Sequence, residues 1–284
     1  LRGLPTEAAW DLGRRSAEQL LELHLQEEGE SLRHLALSVW GTATMRNGGE
    51  DIAQLLALIG VRPVWDGPTR RLVDLEVSPL RLLGRPRVDV VLRISGLFRD
   101  AFPQLVDWVD QAMAMVAGLD EPSDQNPLAA LTQTEGPQGR IYGSAPGAYG
   151  AGLQALMDSG AWDSRADLGE AFLRWSQWRY GGSSEPSQDR TGLESALGRV
   201  QVVLHNQDNR EHDLLDSDDY YQFHGGLSAA VESSSGHRPE LWFGDHSRRE
   251  RPRLHRLEHE LDKVVRSRLL NPRWIEGMQQ HGYK

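Results

Sequence analysis

The sequence contains no cysteine. That removes disulfides, thiolate zinc sites, iron–sulfur clusters and thiol nucleophiles, and it fits a reducing, cytoplasmic setting. Any metal must then be held by histidine, carboxylate, carbonyl or water. Lysine is nearly absent too: of 31 basic residues, only Lys263 and Lys284 are lysines. Schiff-base chemistry and Walker-type ATP binding both need a lysine, and no G-x-x-x-x-G-K-[ST] stretch occurs. If ATP is used, another chain hydrolyses it. There is no G-x-S-x-G elbow and no H-E-x-x-H pair, so hydrolase chemistry has little support. No apolar run approaches the ~18–20 residues of a membrane span, and no basic-then-apolar leader opens the chain. The net charge of −10 is a poor match to nucleic acid, which asks for a clustered basic face. The chain starts at Leu1 and stops at Lys284 in a helix-like stretch, which reads as a fragment of something longer.

What is present is an ordinary globular composition with strands alternating with helices. Residues 6–30 read as an amphipathic helix, started by Thr6 and Glu7 and ended by Gly29. Runs at 35–40, 61–65, 72–77 and 89–94 read as strands. Helices are expected at 52–59, closed by Gly60, and at 102–119, with Pro103 in the first turn. The polar stretch 121–126 marks a boundary. The second half reads as more helical, with helices at 165–180, 191–204, 225–233 and 254–270, short strands at 140–142 and 241–243, and a surface loop at 181–188. The expected fold is α/β: an N-terminal helix (1–31), a Rossmann-like α/β lobe (32–125) and a mixed, more helical α/β lobe (126–284).

The densest chemistry lies in Leu204–Gly226, LHNQDNREHDLLDSDDYYQFHGG. Six carboxylates (Asp208, Glu211, Asp213, Asp216, Asp218 and Asp219) share this stretch with one base, Arg210. Like charges at this density repel and need compensation, which a divalent cation would give. Asp208, His212 and Asp216 would share one face if this part were helical. With His205 and His224 they make a mixed imidazole and carboxylate set that suits Co, Fe, Ni, Zn or Mn. A solvated acidic loop capping two helices is the alternative. Eight of the ten histidines lie at or after His205. His255 and His259 read as members of an exposed helix face.

Two further segments could meet an anionic ligand. GDHSRRERPRLHR (Gly244–Arg256) crowds five arginines, Arg248 among them, and arginine binds carboxylates and phosphates in two-point fashion. It reads equally as a basic patch balancing the acidic one. GSAPGAYGAG (Gly143–Gly152), carrying Tyr149, would let the backbone approach a flat ligand closely, or simply turn into the next helix. Arg93 and Arg99 sit at and just past the end of the 89–94 strand, where α/β folds place ligands.

Together these segments resemble the family of chelatase large subunits that includes the cobalt (CobN) type and its magnesium chelatase counterpart. The matching stretches are WGTATMRNGGEDIAQLLALIGVRPVWD, LLGRPRVDVVLRISGLFRDAFP, GSAPGAYGAG with LMDSGAWDSRADL, HNQDNREHDLLDSDDYYQFHGG, GDHSRRERPR and LLNPRWIEGMQQHGYK. They run in order over Leu4–Lys284. The resemblance implies a subunit that binds a tetrapyrrole and the metal, with ATP and Mg2+ handled by separate AAA+ subunits. In the cobalt branch it implies Co2+ insertion into hydrogenobyrinic acid a,c-diamide, in cobalamin biosynthesis. The magnesium branch has counterparts of Asn206, Asp208, Glu211, Asp218, Tyr220, Gly225 and Gly226. It lacks those of His212, Asp216 and His224, and has histidine in place of Asp219, so this chain resembles the cobalt branch. The expected roles follow. Glu211, Asp218 and Asp219 accept protons or hold metal. His205, Asp208, His212, Asp216 and His224 ligate metal, the imidazoles favouring cobalt. Arg93, Arg99, Tyr149 and Arg248 are the candidates to meet the macrocycle, which the resemblance does not assign residue by residue. The resemblance also implies an upstream His-Gly-x-x-Glu-like region that this sequence does not contain. A magnesium or other metal chelatase subunit, or a non-catalytic tetrapyrrole- or metal-binding module, is the alternative reading.

Overall fold

A computed structural model describes residues 3–182 and 185–281. Its ten strands are β1 (His34–Val39), β2 (Val61–Trp65), β3 (Leu72–Val77), β4 (Asp89–Ile94), β5 (Ile141–Gly143), β6 (Trp178–Tyr180), β7 (Ser187–Gln188), β8 (Val202–Gln207), β9 (Glu240–Asp245) and β10 (Arg253–Arg256). Eight of them form one sheet in the order β10-β9-β8-β1-β4-β5-β6-β7, while β2 and β3 make a separate hairpin. The central strands β9, β8, β1, β4 and β5 are parallel, and β10, β6 and β7 each pair antiparallel with their inner neighbour.

Parallel strands covered on both faces are apolar along their whole length, and β4 (DVVLRI) is buried at every position. Successive residues of β1 serve opposite faces. Leu35, Leu37 and Val39 join one core with Leu20, Leu55 and Val109. Ala36 joins the other with Phe172, Val203 and Leu227. The first face is covered by the long helix Glu7–Glu28, started by the Thr6 hydroxyl accepting from the Ala9 N–H and stopped by Gly29 at φ 74°. Beneath it the helix Glu50–Ile59 is buried at all of its residues, including Glu50, Asp51 and Gln54.

The α/β reading holds, and strands from both halves of the chain share one sheet: the boundary at 126 falls between the neighbours β4 and β5. Several elements differ from expectation. The helix read over 191–204 ends at Leu197, and Val202–Gln207 is instead the strand beside β1. The helix read over 165–180 stops at Ser176 before β6. The helix read over 254–270 begins only at Leu257, because Arg253–Arg256 pairs with β9. Of the loop read at 181–188, Ser183 and Ser184 lie outside the described residues, and Ser187–Gln188 form an edge strand.

From β1 the chain moves outward through β4 and β5, then returns to place β8 and β9 on the other side of β1. The connections leaving the carboxyl ends of β1 and β8 therefore diverge. A crevice at such a switch point is where open α/β sheets bind ligands.

Candidate functional site

A cavity of about 120 Å³ opens at this switch point. Trp40, Thr42, Ala43 and Arg46 line it from the segment after β1. His205 and Asn206 line it from β8, and Asp208, His212, Asp219 and Tyr220 from the acidic stretch that follows. The acidic stretch is not a helix between 208 and 216. It crosses the end of the sheet as a loop and becomes helical only from Asp218. The one-face alignment of Asp208, His212 and Asp216 is therefore lost, because 208–217 run as loop and turn with no helical repeat.

His205 is 4% exposed, and its Nδ1 has no hydrogen-bond partner. Its ring sits 5.0 Å from Tyr220, edge on, and 5.5 Å from His224, nearly parallel. His224 is carried by a π-helical turn, Tyr220–Gly225, of the kind that recurs at functional sites. Its Nε2 donates to the Val203 carbonyl at 3.3 Å, which leaves Nδ1 as the lone-pair nitrogen. Burial holds both imidazoles neutral, lowering His224 to about 4. It drives His205 well below its ordinary value, helped by the nearby His224 and His212. Two neutral imidazoles are donors for a transition metal.

The carboxylates divide. Asp208 is paired with Arg46 across the cavity, at 2.6 and 3.0 Å. Asp216 pairs with Arg268, which also holds Asp213 at 2.7 Å. Those two acids and Glu211 line a neighbouring cavity of about 220 Å³, which shares His212 with the first. Asp218 accepts from the Gln222 amide at 2.9 Å. Asp219 stays at the first cavity, its carboxyl raised above the ordinary range by burial and by Asp218 beside it. Among the described residues, no three histidine, aspartate or glutamate side chains are grouped closely enough to hold an ion.

The residues expected to meet a macrocycle are placed differently. Arg93 is 2% exposed and uses its guanidinium inside the fold. It donates to the Ser176 hydroxyl (3.1 Å) and to the carbonyls of Gly150 (2.8 Å) and Ile94, and lies over the Phe223 ring at 4.8 Å. Burial lowers its pKa to about 9. Arg99 pairs with Asp100 and donates to the Ala145 and Ala148 carbonyls, at 2.7 and 3.1 Å. Both arginines thus pin the glycine-rich loop. Tyr149 on that loop is exposed and donates to Asp100 at 2.6 Å. Arg248 is exposed. His255 is not on an exposed helix face: it lies on β10 with Nε2 3.0 Å from Glu260.

Sequence reading missed the buried polar network behind the cavity. Asn206 donates to Asp51 (2.7 Å) and Gln54 (2.6 Å), and Gln54 donates to Ser16, which meets His246 Nε2 at 2.8 Å. Burial raises Asp51 to about 6, against the opposing Asn206 hydrogen bond. Ser16, Asn206 and His246 reach the network from distant parts of the chain, while Arg46, Trp40 and Asp51 were legible only as parts of the WGTATMRNGGED stretch. There Gly48 and Gly49, at φ 81° and 89°, let the helix Gly41–Asn47 turn directly into the next one.

Comparison with known proteins bears on this geometry. The sequence model of the family described as CobN/Magnesium Chelatase matches residues 1–284. The aerobic cobaltochelatase subunit CobN of Pseudomonas aeruginosa is 52% identical over all of this chain, which covers 24% of that protein. The H-type magnesium-chelatase protein of Chlorobaculum parvum is 32% identical over 99% of the chain and 23% of its own length. The structure of a catalytic subunit of cobaltochelatase from Mycobacterium tuberculosis superposes with a TM-score of 0.96. It is 43% identical, over 99% of this chain and 25% of that one. The chain thus spans about a quarter of the length of these relatives.

Proposed function

Because the chain belongs to the CobN/magnesium chelatase family, we propose that it is the part of a cobaltochelatase large subunit that receives the metal. The full-length chain inserts Co2+ into a tetrapyrrole, hydrogenobyrinic acid a,c-diamide, in cobalamin biosynthesis in the cytoplasm. AAA+ partner subunits bind ATP and Mg2+ and hydrolyse the ATP.

The observation that carries this reading is the neutral imidazole of His205, buried at the cavity with an unpartnered Nδ1. Metallation displaces ring N–H protons, so it needs a proton acceptor beside a metal donor. His205 and His212 at the cavity, with His224 behind, supply imidazole nitrogen donors. Asp219, whose carboxyl is raised by burial and by Asp218 beside it, takes a proton, and Glu211 and Asp218 pass protons outward. Arg248, which is exposed, faces the macrocycle's carboxylates, while Arg99 holds the loop that carries Tyr149. Tyr149 offers its ring to the macrocycle, and Arg93 acts from below by holding the Tyr149 loop. Magnesium prefers oxygen ligands, so the imidazole set favours cobalt over the magnesium alternative.

The test is absorbance-monitored metallation by the full-length chain with its AAA+ subunits, with Mg2+ as the comparison. ATP-dependent uptake of Co2+ and not Mg2+ is expected. Tetrapyrrole binding without metallation by either ion, alongside competent partner subunits, would make the protein a carrier instead.

A further inference from the structure

The donors at the cavity are not assembled. His205, His212, Asp208 and Asp219 all line it, yet they do not form a group of three that could hold an ion. One of them is visibly held elsewhere. Arg46 grips Asp208 at two points, Nη2 to Oδ1 at 2.6 Å and Nε to Oδ2 at 3.0 Å. This pair joins the two walls of the crevice: Arg46 comes from the last turn of the helix after β1, and Asp208 follows β8. The Asp208 side chain is 7% exposed and that of Arg46 is 48% exposed, so the acid is tucked in and the cation reaches solvent. Of the residues lining this cavity, Arg46 is the one with a cationic side chain. Arg268 and Arg210 are committed to Asp213, Asp216 and Asp245.

We propose that Arg46 is a carboxylate-exchange latch that orders binding, macrocycle first and metal second. A carboxylate on the rim of the incoming macrocycle takes the guanidinium fork, which binds any carboxylate in the same planar geometry. Asp208 is displaced and joins His205 and His212 around the cation. The exchange is a swap of ion-pair partners, with no covalent bond made or broken. Before it, Arg46 neutralises Asp208 and the cavity attracts cobalt weakly. After it, a sheltered carboxylate has lost its partner, a costly state that a divalent cation relieves. Arg46 is a positioning residue in this scheme: it acts through Asp208. The scheme rests on the chelatase reading above.

The coupling is measurable and reciprocal. Co2+ binding to the full-length chain is titrated calorimetrically with and without saturating hydrogenobyrinic acid a,c-diamide. The wild type gains about tenfold in cobalt affinity when the macrocycle is present, within the span usual for coupled sites. A fully esterified macrocycle, lacking carboxylates, gives no gain. In Arg46→Ala the free protein already binds cobalt at the higher affinity and the macrocycle adds nothing. Arg46→Lys, which keeps the charge without the fork, falls between. Circular dichroism confirms that each variant is folded. Equal coupling in wild type and Arg46→Ala, or coupling by the ester, overturns the latch. Failure of the wild type to bind either macrocycle or cobalt overturns the chelatase reading itself.

Discussion

His205 and His224 lie ring over ring, their centroids 5.5 Å apart and their planes 22° from parallel, one on β8 and the other on the π-helical turn. Two cations could not share that spacing in a buried site, so the pair is stable only when neutral.

A pH dependence of stability follows. Histidine in the unfolded chain titrates near 6.5, whereas burial lowers folded His224 to about 4. Below pH ~6.5 the unfolded chain takes up a proton that the folded one refuses. Stability is intact above that value and declines as pH falls toward 4, by about 3 kcal/mol for this one group. Asp51, raised to about 6, acts in the opposite sense: its contribution is present in acid and is lost as pH rises through 6. Comparing wild type with His224→Gln isolates the histidine term. Urea unfolding should show the wild type losing more stability than the variant between neutral pH and about pH 5.

Asp89 and Arg140 tie the amino ends of β4 and β5 with a two-point pair at 2.7 and 2.9 Å, both side chains almost fully buried. Burial alone would raise the Asp89 carboxyl, but Arg140 and His34 outweigh it and hold it at about 2. Arg140→Leu leaves that charge unpaired by its main partner and should cost about 3–5 kcal/mol. The loss is read as a lower midpoint in chemical denaturation. Asp89's own contribution is present above the ordinary carboxylate range and lost as pH falls toward 2.

Gly244 on β9 supports the cavity from behind, since a Cβ there would stand 2.0 Å from Asn206 Oδ1. Gly244→Ala must push Asn206 off Asp51 and Gln54. Overpacking of this kind costs about 1–3 kcal/mol, and cobalt binding by the full-length chain should weaken with it. A thermal scan and a cobalt titration check both effects.

Arg268 fastens the acidic loop to the C-terminal segment through Asp213 and Asp216. In Arg268→Gln, amide exchange across 208–219 should rise while β1 and β4 stay protected, and Asp216 should lose the hydrogen bond that lowers its carboxyl. The exchange map, read by mass spectrometry, checks this.

Much of the fold was legible from local signals. The helix Glu7–Glu28 and strands β1 and β4 appear where capping residues and apolar runs place them. The decisive strand was not. The apolar residues of β8 follow a short helix, and a brief apolar run does not distinguish strand from helix by periodicity. Reading it as helix hid the switch point between β1 and β8, and with it the cavity. The acidic stretch was legible as chemistry but not as geometry. Its compensating cations, Arg46 and Arg268, lie far away in sequence and reach Asp208 and Asp216 only through the fold. Arg93 looked like a ligand group because it lies near the end of an apolar strand; its partners are the Ser176 hydroxyl and the Ile94 and Gly150 carbonyls, which no spacing rule reveals.

The central claim, that cobalt is received at His205, is tested most directly by pulsed electron paramagnetic resonance of Co2+ on the full-length chain with the macrocycle bound. Imidazole nitrogen modulation should be present in the wild type and sharply reduced in a folded His205→Phe variant. Undiminished modulation in that variant would place the metal elsewhere.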